Sequence, residues 1–152
     1  MSSPPPLYLL DTGVLLVLVR GQAIGKHIER TYGLSRLPQR PLASVVSKAE
    51  IRSLAQRNGW GDAKRAVLEN LLANVVIVDI NTDDVINAYV EIDSFSHQLA
   101  GGARTMGKND LWIAATARVT KARLLTTDTD FDHLDNAMIT RDYIDPNGSY
   151  PP

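Results

Sequence analysis

The alternation of short apolar segments with helical segments is the feature that most constrains how this chain can fold. Segments of strand length occur at residues 7–10, 42–46, 75–80 and 123–127, with a candidate fifth at 137–140. The stretches between them carry apolar residues at helical spacing. This order predicts an α/β domain of three layers, in which helices cover both faces of a mostly parallel sheet of four to five strands.

Capping residues predict where the helices begin and end. The helical pattern from Val14 to Tyr32 is expected to break around Arg20-Gly21, and Gly33 is a plausible end of its second half. Ser47 and Glu50 have the spacing of a capping box and predict a helix that runs to about residue 59. The other starts are predicted at Asp62, at Asn81 or Thr82 and at Asn109, and the other ends at Gly101-Gly102 and near Lys121.

Size and composition predict one globular domain. The 152 residues are 44% hydrophobic and 22% charged, close to the average for soluble proteins. We expect a single domain over residues 7–145, with flexible segments at 1–6 and 146–152. A net charge of -1 excludes a polybasic nucleic-acid binder, and the absence of cysteine excludes disulfides, a thiolate nucleophile and cysteine-built metal sites.

The apolar residues near the start do not predict membrane insertion. The stretch from Leu7 to Val19 is interrupted by Asp11, and no basic segment precedes it. It therefore fits neither a signal peptide nor a membrane span. We expect a cytoplasmic protein without a membrane partner.

Four acids are expected at one edge of the predicted sheet. Asp11 and Asp128 follow the first and fourth strands, Glu50 lies early in the helix after the second strand, and Asp110 opens the helix before the fourth. Functional groups of open parallel sheets gather beyond the carboxyl ends of the strands. Four carboxylates together raise one another's pKa unless a cation compensates. Oxygen ligands without cysteine favour Mg²⁺ or Mn²⁺, ions that act on phosphate, and so predict phosphodiester hydrolysis.

Four segments together resemble the PIN-domain ribonucleases, and within that family the VapC toxins of bacterial toxin-antitoxin pairs. These segments are Leu9–Thr12, Ser47–Glu50, Asn109–Ala117 and Leu125–Phe131. The resemblance extends over roughly residues 7–140 and implies a PIN-like α/β/α domain. It also implies a Mg²⁺- or Mn²⁺-dependent endoribonuclease that cleaves RNA, is neutralised by a small antitoxin and forms a homodimer.

The resemblance assigns roles to particular residues. It implies that the catalytic, metal-binding acids are Asp11, Glu50, Asp110 and Asp128, with Asp130 as an additional ligand. Thr12 matches the hydroxyl residue that often follows the first acid. The chain departs from the family at Gly13, where Asn or Ser is frequent, and in its proline-led start and its tail after Asp142.

Other interpretations of these residues remain open. Asp11 could only cap a helix, Glu50 could only complete a capping box, Asp110 could only be a first-turn acid, and Asn109 is expected to be a cap. An EF-hand at residues 128–139 fails, because His133 replaces the required Gly and Ile139 the required Glu. A phosphatase-like Asp-x-Asp motif at Asp128 lies too near the end of the chain. A non-catalytic PIN-like module that binds RNA or protein is the alternative function.

Few cations are expected to guide RNA to such an acidic site. The candidates are Arg36 and Arg40 in a proline-bracketed loop, and Arg104 and Lys108 in the predicted loop before Asp110. His27, His97 and His133 show no metal-ligand spacing, and Trp60 and Trp112 are expected to serve packing or an interface.

Overall fold

Five parallel strands form the centre of the structure, a computed structural model that describes residues 4–152. Their order across the sheet is β3-β2-β1-β4-β5, and every neighbouring pair is parallel. The strands are Tyr8–Leu10 (β1), Leu42–Ser44 (β2), Val76–Val78 (β3), Arg123–Thr126 (β4) and Arg141–Tyr143 (β5). Because all strands run the same way, the residues that follow them share one edge of the sheet.

Six α-helices occur among residues 4–152. They are Thr12–Arg20 (α1), Ala23–Tyr32 (α2), Val45–Arg57 (α3), Asp62–Ala73 (α4), Asp83–His97 (α5) and Lys108–Thr120 (α6). Two short 3-10 helices, Leu34–Arg36 and Thr129–Leu134, complete the secondary structure. Left-handed residues separate α1 from α2 at Gly21 and end α2 at Gly33, which confirms the predicted break and the predicted end.

Two apolar cores lie on opposite faces of the sheet. Leu9 and Leu124 belong to the core covered by α5 and α6, whereas Leu10 and Leu125 belong to the core beneath α1 to α4. Successive strand residues point to opposite faces, so each strand contributes to both cores. All four leucines are essentially inaccessible to solvent. The predicted three-layer α/β/α architecture with a parallel sheet is therefore confirmed.

The predicted position of the last strand is wrong. Residues 137–140 precede the strand, and the backbone N–H groups of Ala137, Met138 and Ile139 all donate to the carbonyl of Leu134. Asn136 has a φ of 61°, in the left-handed region. This tight turn delays β5 to Arg141, although the apolar residues before it resemble a strand.

The predicted capping box at Ser47 and Glu50 does not form. The N-cap of α3 is Ser44, whose Oγ accepts a hydrogen bond from the Val46 N–H at 3.1 Å. The chain passes from β2 into α3 without a connecting loop, so residues 45–46, predicted as strand, are helical. Ser47 and Glu50 consequently lie inside the helix, and their side chains are available for tertiary contacts.

Several other helix ends differ from the prediction by a few residues. The N-cap of α6 is Gly107, so Lys108 and Asn109 are its first two residues, and Asn109 is not the cap. Gly61 rather than Asp62 occupies the N-cap position of α4, and α5 ends at His97, before the predicted stop. Gly107 and Gly61 have no side chain that could mark them as N-caps in the sequence, which explains two of these errors.

The terminal segments differ in their contacts. Residues 1–3 of the predicted N-terminal segment lie outside the described residues, and Pro4 to Pro6 are exposed. The C-terminal tail contacts α2: the Tyr150 ring stacks on His27 with centroids 4.3 Å apart, and Arg30 donates to the Pro151 carbonyl at 3.0 Å. Within residues 4–152, none of the helices combines the length and apolarity that a membrane crossing requires.

The cap of α3 can be tested by substitution. We expect Ser44→Ala to lower the free energy of unfolding by about 1 kcal/mol, because the Val46 N–H loses its partner. Ser53→Ala, on the exposed face of the same helix, is the control and is expected to change stability by less than about 0.5 kcal/mol. Urea unfolding measures both, and equal effects would contradict the assignment of the cap.

Candidate functional site

Five acids approach one another beyond the carboxyl ends of β1, β2 and β4. Asp11 directly follows β1, and Asp128 follows β4 after one intervening residue. Glu50 lies in the second turn of α3, and Asp110 in the first turn of α6. One carboxylate oxygen each from Asp110, Asp128 and Asp130 lies within 4.8 Å of the others. The structure thus brings the five acids predicted from the sequence to a single edge of the sheet.

Asp11 is held by hydrogen bonds to both of its carboxylate oxygens. Oδ1 accepts from the Thr12 N–H at 2.8 Å and caps α1, while Oδ2 accepts from the Thr126 hydroxyl at 2.6 Å. The Thr126 Oγ in turn accepts from the Asp128 N–H at 3.0 Å. Thr126, which the sequence analysis missed, therefore links the first and fourth acids and sets their relative position. A strand-end threonine has no distinctive sequence signal.

Glu50 is oriented by a hydroxyl pair rather than by a helix cap. Its Oε1 accepts from the Thr12 Oγ–H at 2.8 Å, and the Thr12 and Ser47 hydroxyls share a hydrogen bond at 3.0 Å. Ser47 is fully buried. The hydrogen bond between Thr12 and Glu50 spans 38 residues of sequence and fixes the Glu50 carboxylate near the start of α1.

Burial and mutual repulsion raise the pKa of two of the acids. Burial is the main cause for Asp11, whose pKa rises from 3.8 to about 6 although its hydrogen bonds lower it. For Asp110, burial and then the charges of Asp11, Asp128, Asp130 and Glu50 raise the pKa to about 7. Among residues 4–152, no group donates a hydrogen bond to the Asp110 carboxylate. None of the five acids forms a salt bridge among residues 4–152, so no cation directly neutralises the ionised site.

The donor set fits a divalent cation. It consists of carboxylate oxygens in a chain that has no cysteine, and Asp110, Asp128 and Asp130 could hold a metal ion together. A cation would relieve the repulsion that raises these pKa values. The chemistry of the donors selects a hard, oxygen-binding ion.

Gly13 allows α1 to approach the loop after β4. A Cβ at this position would clash with the Thr127 Oγ. The Asn or Ser that the family resemblance leads one to expect here would require Thr127 to move. The glycine is thus explained by close packing beside the acids.

The four predicted RNA-guiding cations separate into two groups. Arg40 lies two residues before β2, and Arg36 lies in the 3-10 helix that precedes it. Residues that lead into a parallel strand lie at the edge opposite to those that follow it, so these two arginines are far from the acids, contrary to the prediction. Arg104 lines a small cleft with Asp130 and is close to the site. Lys108 is near Asp110 but belongs to α6 rather than to a loop.

The aromatic and histidine side chains have structural partners. Trp112 packs against Tyr89 with ring centroids 4.3 Å apart, and Lys64 lies 4.1 Å from the centre of the Trp60 ring. His133 shares a hydrogen bond of 2.8 Å with the buried Ser96 and so ties the second 3-10 helix to α5. These contacts agree with the packing roles expected for both tryptophans.

The parallel sheet and the acids at its carboxyl edge define an α/β/α domain with a cluster of carboxylates that could hold a cation. A family model described as the PIN domain matches residues 8–137. The chain belongs to the PIN-domain family. This result confirms the resemblance inferred from the four sequence segments.

Individual relatives agree with this assignment. The chain is 29% identical over 139 residues to ribonuclease VapC5 of Mycobacterium tuberculosis, covering 90% of this chain and 94% of the relative. It is similar to VapBC2 of Rickettsia felis bound to a promoter DNA fragment, with a TM-score of 0.74, 19% identity and coverage of 90% and 98%. It is also similar to VapBC-5 of M. tuberculosis, with a TM-score of 0.60, 25% identity and coverage of 92% and 98%.

The raised pKa of Asp110 leads to a stability test. An acid whose pKa is raised on folding does not destabilise the protein below pH 3.8. As the pH rises towards 7, it lowers the free energy of unfolding increasingly. Without metal, we expect Asp110→Asn to raise the free energy of unfolding at pH 8 by about 1 kcal/mol or more, with a smaller gain at pH 5. Urea unfolding in EDTA measures this. Asp62→Asn, an exposed first-turn acid of α4, is the control, and an equal gain there would refute the repulsion.

The stabilisation by a bound metal should increase with pH, whereas the stability of the metal-free protein should decrease. Because a cation competes with protons for Asp11 and Asp110, we expect Mn²⁺ or Mg²⁺ to raise the melting temperature more at pH 8 than at pH 5.5. Asp110→Asn should reduce the shift at both pH values. Thermal unfolding with and without metal tests this, and a shift that is independent of pH would exclude these acids as ligands.

Proposed function

We propose that this protein is a metal-dependent endoribonuclease and the toxin of a toxin-antitoxin pair. The observation that carries the proposal is the convergence of five acids at the carboxyl edge of the sheet, inside a PIN domain. The relative VapC5 of M. tuberculosis is a ribonuclease. Both facts support cleavage of RNA phosphodiester bonds by water.

The ion is proposed to be Mg²⁺ or Mn²⁺, held by Asp11, Glu50, Asp110 and Asp128, with Asp130 as an additional ligand. When bound, such an ion acidifies a water molecule and neutralises charge that develops on the phosphate. Asp130 is the most exposed of the three clustered acids, so it lies on the side from which substrate arrives.

The chain's own residues orient the acids before any ligand binds. Thr126 and the start of α1 hold Asp11, and Thr12 holds Glu50. Fixed carboxylates do not have to reorganise during the reaction, which favours catalysis. The same acids repel an RNA phosphate, so RNA approaches productively only when the charge of the acids is compensated.

The partners follow from the same assignment. VapBC-5 of M. tuberculosis, to which the chain is similar, belongs to the VapBC family of toxin-antitoxin systems, which supports a small antitoxin protein as partner. We further propose a homodimer that acts on RNA in the cytoplasm. Of the four cations predicted to guide RNA, Arg104 and Lys108 remain candidates. Arg104 lies near Asp130, and Lys108 lies near Asp110.

A non-catalytic PIN-like module that binds RNA or protein is the alternative. The raised pKa values of Asp11 and Asp110 argue against it, because a scaffold gains nothing from buried carboxylates that repel one another. The alternative predicts no cleavage with any divalent ion.

Glu50 offers a direct test of the proposed activity. We expect Glu50→Gln to fold normally, because the amide oxygen can still accept from Thr12, yet to lower RNA cleavage by at least about 100-fold. The measurement is cleavage of single-stranded RNA in Mg²⁺ or Mn²⁺, with melting temperature as the folding check. The control is Glu69→Gln, an exposed acid paired with Arg52. Full activity of Glu50→Gln would make Glu50 structural.

A further inference from the structure

An open groove of about 430 Å³ runs between α1 and α3 and begins at the acids. Its lining includes Thr12 and Glu50, so it is continuous with the candidate site. We propose that this α1–α3 groove binds one unpaired nucleotide of the RNA, next to the bond that is cleaved. The proposal rests on the proposed function and adds to it a subsite for substrate recognition.

One face of α3 forms the length of the groove. Glu50, Ser53, Leu54 and Arg57 line it, at the three- and four-residue spacing that aligns side chains on a helix. Arg57 is seven residues beyond Glu50, which corresponds to about 10 Å along the helix axis. The groove therefore has the Glu50 carboxylate at one end and the Arg57 guanidinium at the other.

The Arg57 guanidinium is available for an anion. Within residues 4–152 its only side-chain partner is the Ser53 hydroxyl at 3.4 Å, and no carboxylate lies within 4.0 Å of it. Arg52, on the same helix, instead forms a close ion pair with Glu69. An exposed cation opposite a cluster of acids suits a ligand whose phosphate is repelled by the acids and attracted to the arginine.

The middle of the groove suits the face and edge of a nucleobase. Leu16 of α1 and Leu54 of α3 supply apolar surface, and Asn109 of α6 lines the same groove. The apolar surface can cover the face of a base, and the side-chain amide offers a donor and an acceptor for its edge. Only an unpaired base exposes both features, because stacking hides the faces of bases in a duplex. A single-stranded nucleotide is therefore the occupant that matches the groove's apolar, polar and charged parts.

Binding of labelled RNA tests the groove independently of cleavage. The probes are fluorescent single-stranded oligoribonucleotides of each base, titrated into the full chain carrying Asp110→Asn, which suppresses cleavage. We expect Arg57→Ala to weaken binding by about tenfold and to make its salt dependence shallower by about 0.7. Ser53→Glu, which places a negative charge on the groove wall, should weaken binding similarly.

Arg40→Ala is the matched control for the charge. Arg40 is exposed and makes no ion pair among residues 4–152, but it lies at the opposite edge of the sheet. It should leave RNA binding unchanged. Melting temperatures of all variants establish that they are folded.

Cleavage by the protein with Asp110 intact provides the second arm. Asn109→Ala should change which base is preferred beside the cut, as read from the sequences of the products. If the protein cleaves RNA but Arg57→Ala and Ser53→Glu bind it like the Arg40→Ala control, the groove proposal is overturned and the proposed function stands.

The remaining outcomes are also decisive. If no RNA is cleaved in Mg²⁺ or Mn²⁺ while binding still depends on Arg57 and Ser53, the proposed function fails and the nucleotide groove stands. If the variants change only inhibition by the antitoxin and leave RNA binding intact, the occupant is a protein segment and the proposal is wrong.

Discussion

The burial of the Asp11 carboxylate at the end of the central strand is the constraint on which the rest of the site depends. Asp11 is only 5% exposed, and it remains there because Thr126 and the first peptide of α1 donate to its two oxygens. The same arrangement starts α1 immediately after β1. Thr12, the first residue of that helix, then reaches Glu50. One buried acid thus couples the sheet, the first helix and the second acid.

Electrostatics ties the stability of the fold to its proposed chemistry. Desolvation and repulsion raise the pKa of Asp11 to about 6 and that of Asp110 to about 7, so the ionised site is costly without a cation. A bound divalent ion would remove this cost and at the same time prepare the site for an anionic substrate. The desolvation and repulsion of the acids, which destabilise the metal-free protein, therefore also favour metal binding.

The parallel topology places the acids and two of the predicted RNA-guiding arginines at opposite edges of the sheet. The acids lie beyond the carboxyl ends of the strands, whereas Arg36 and Arg40 precede β2 and lie at the other edge. Cations that are close in sequence to the second strand are therefore not close to the acids. Arg57 instead lines the groove shared with Glu50, and Arg104 lines the cleft shared with Asp130.

The sequence alone determined the order of the strands and helices, the parallel sheet and the set of acids. These features depend on local periodicity and on the position of acids at strand ends, such as Asp11 after Leu10. The tertiary structure decided the role of Glu50, because its contact with Thr12 crosses 38 residues and displaces the local capping box. It also decided the bond between Thr126 and Asp11, 115 residues apart, and the place of β5 after a tight turn. Contacts between distant segments depend on how helices and strands pack, and a local pattern carries no information about that packing.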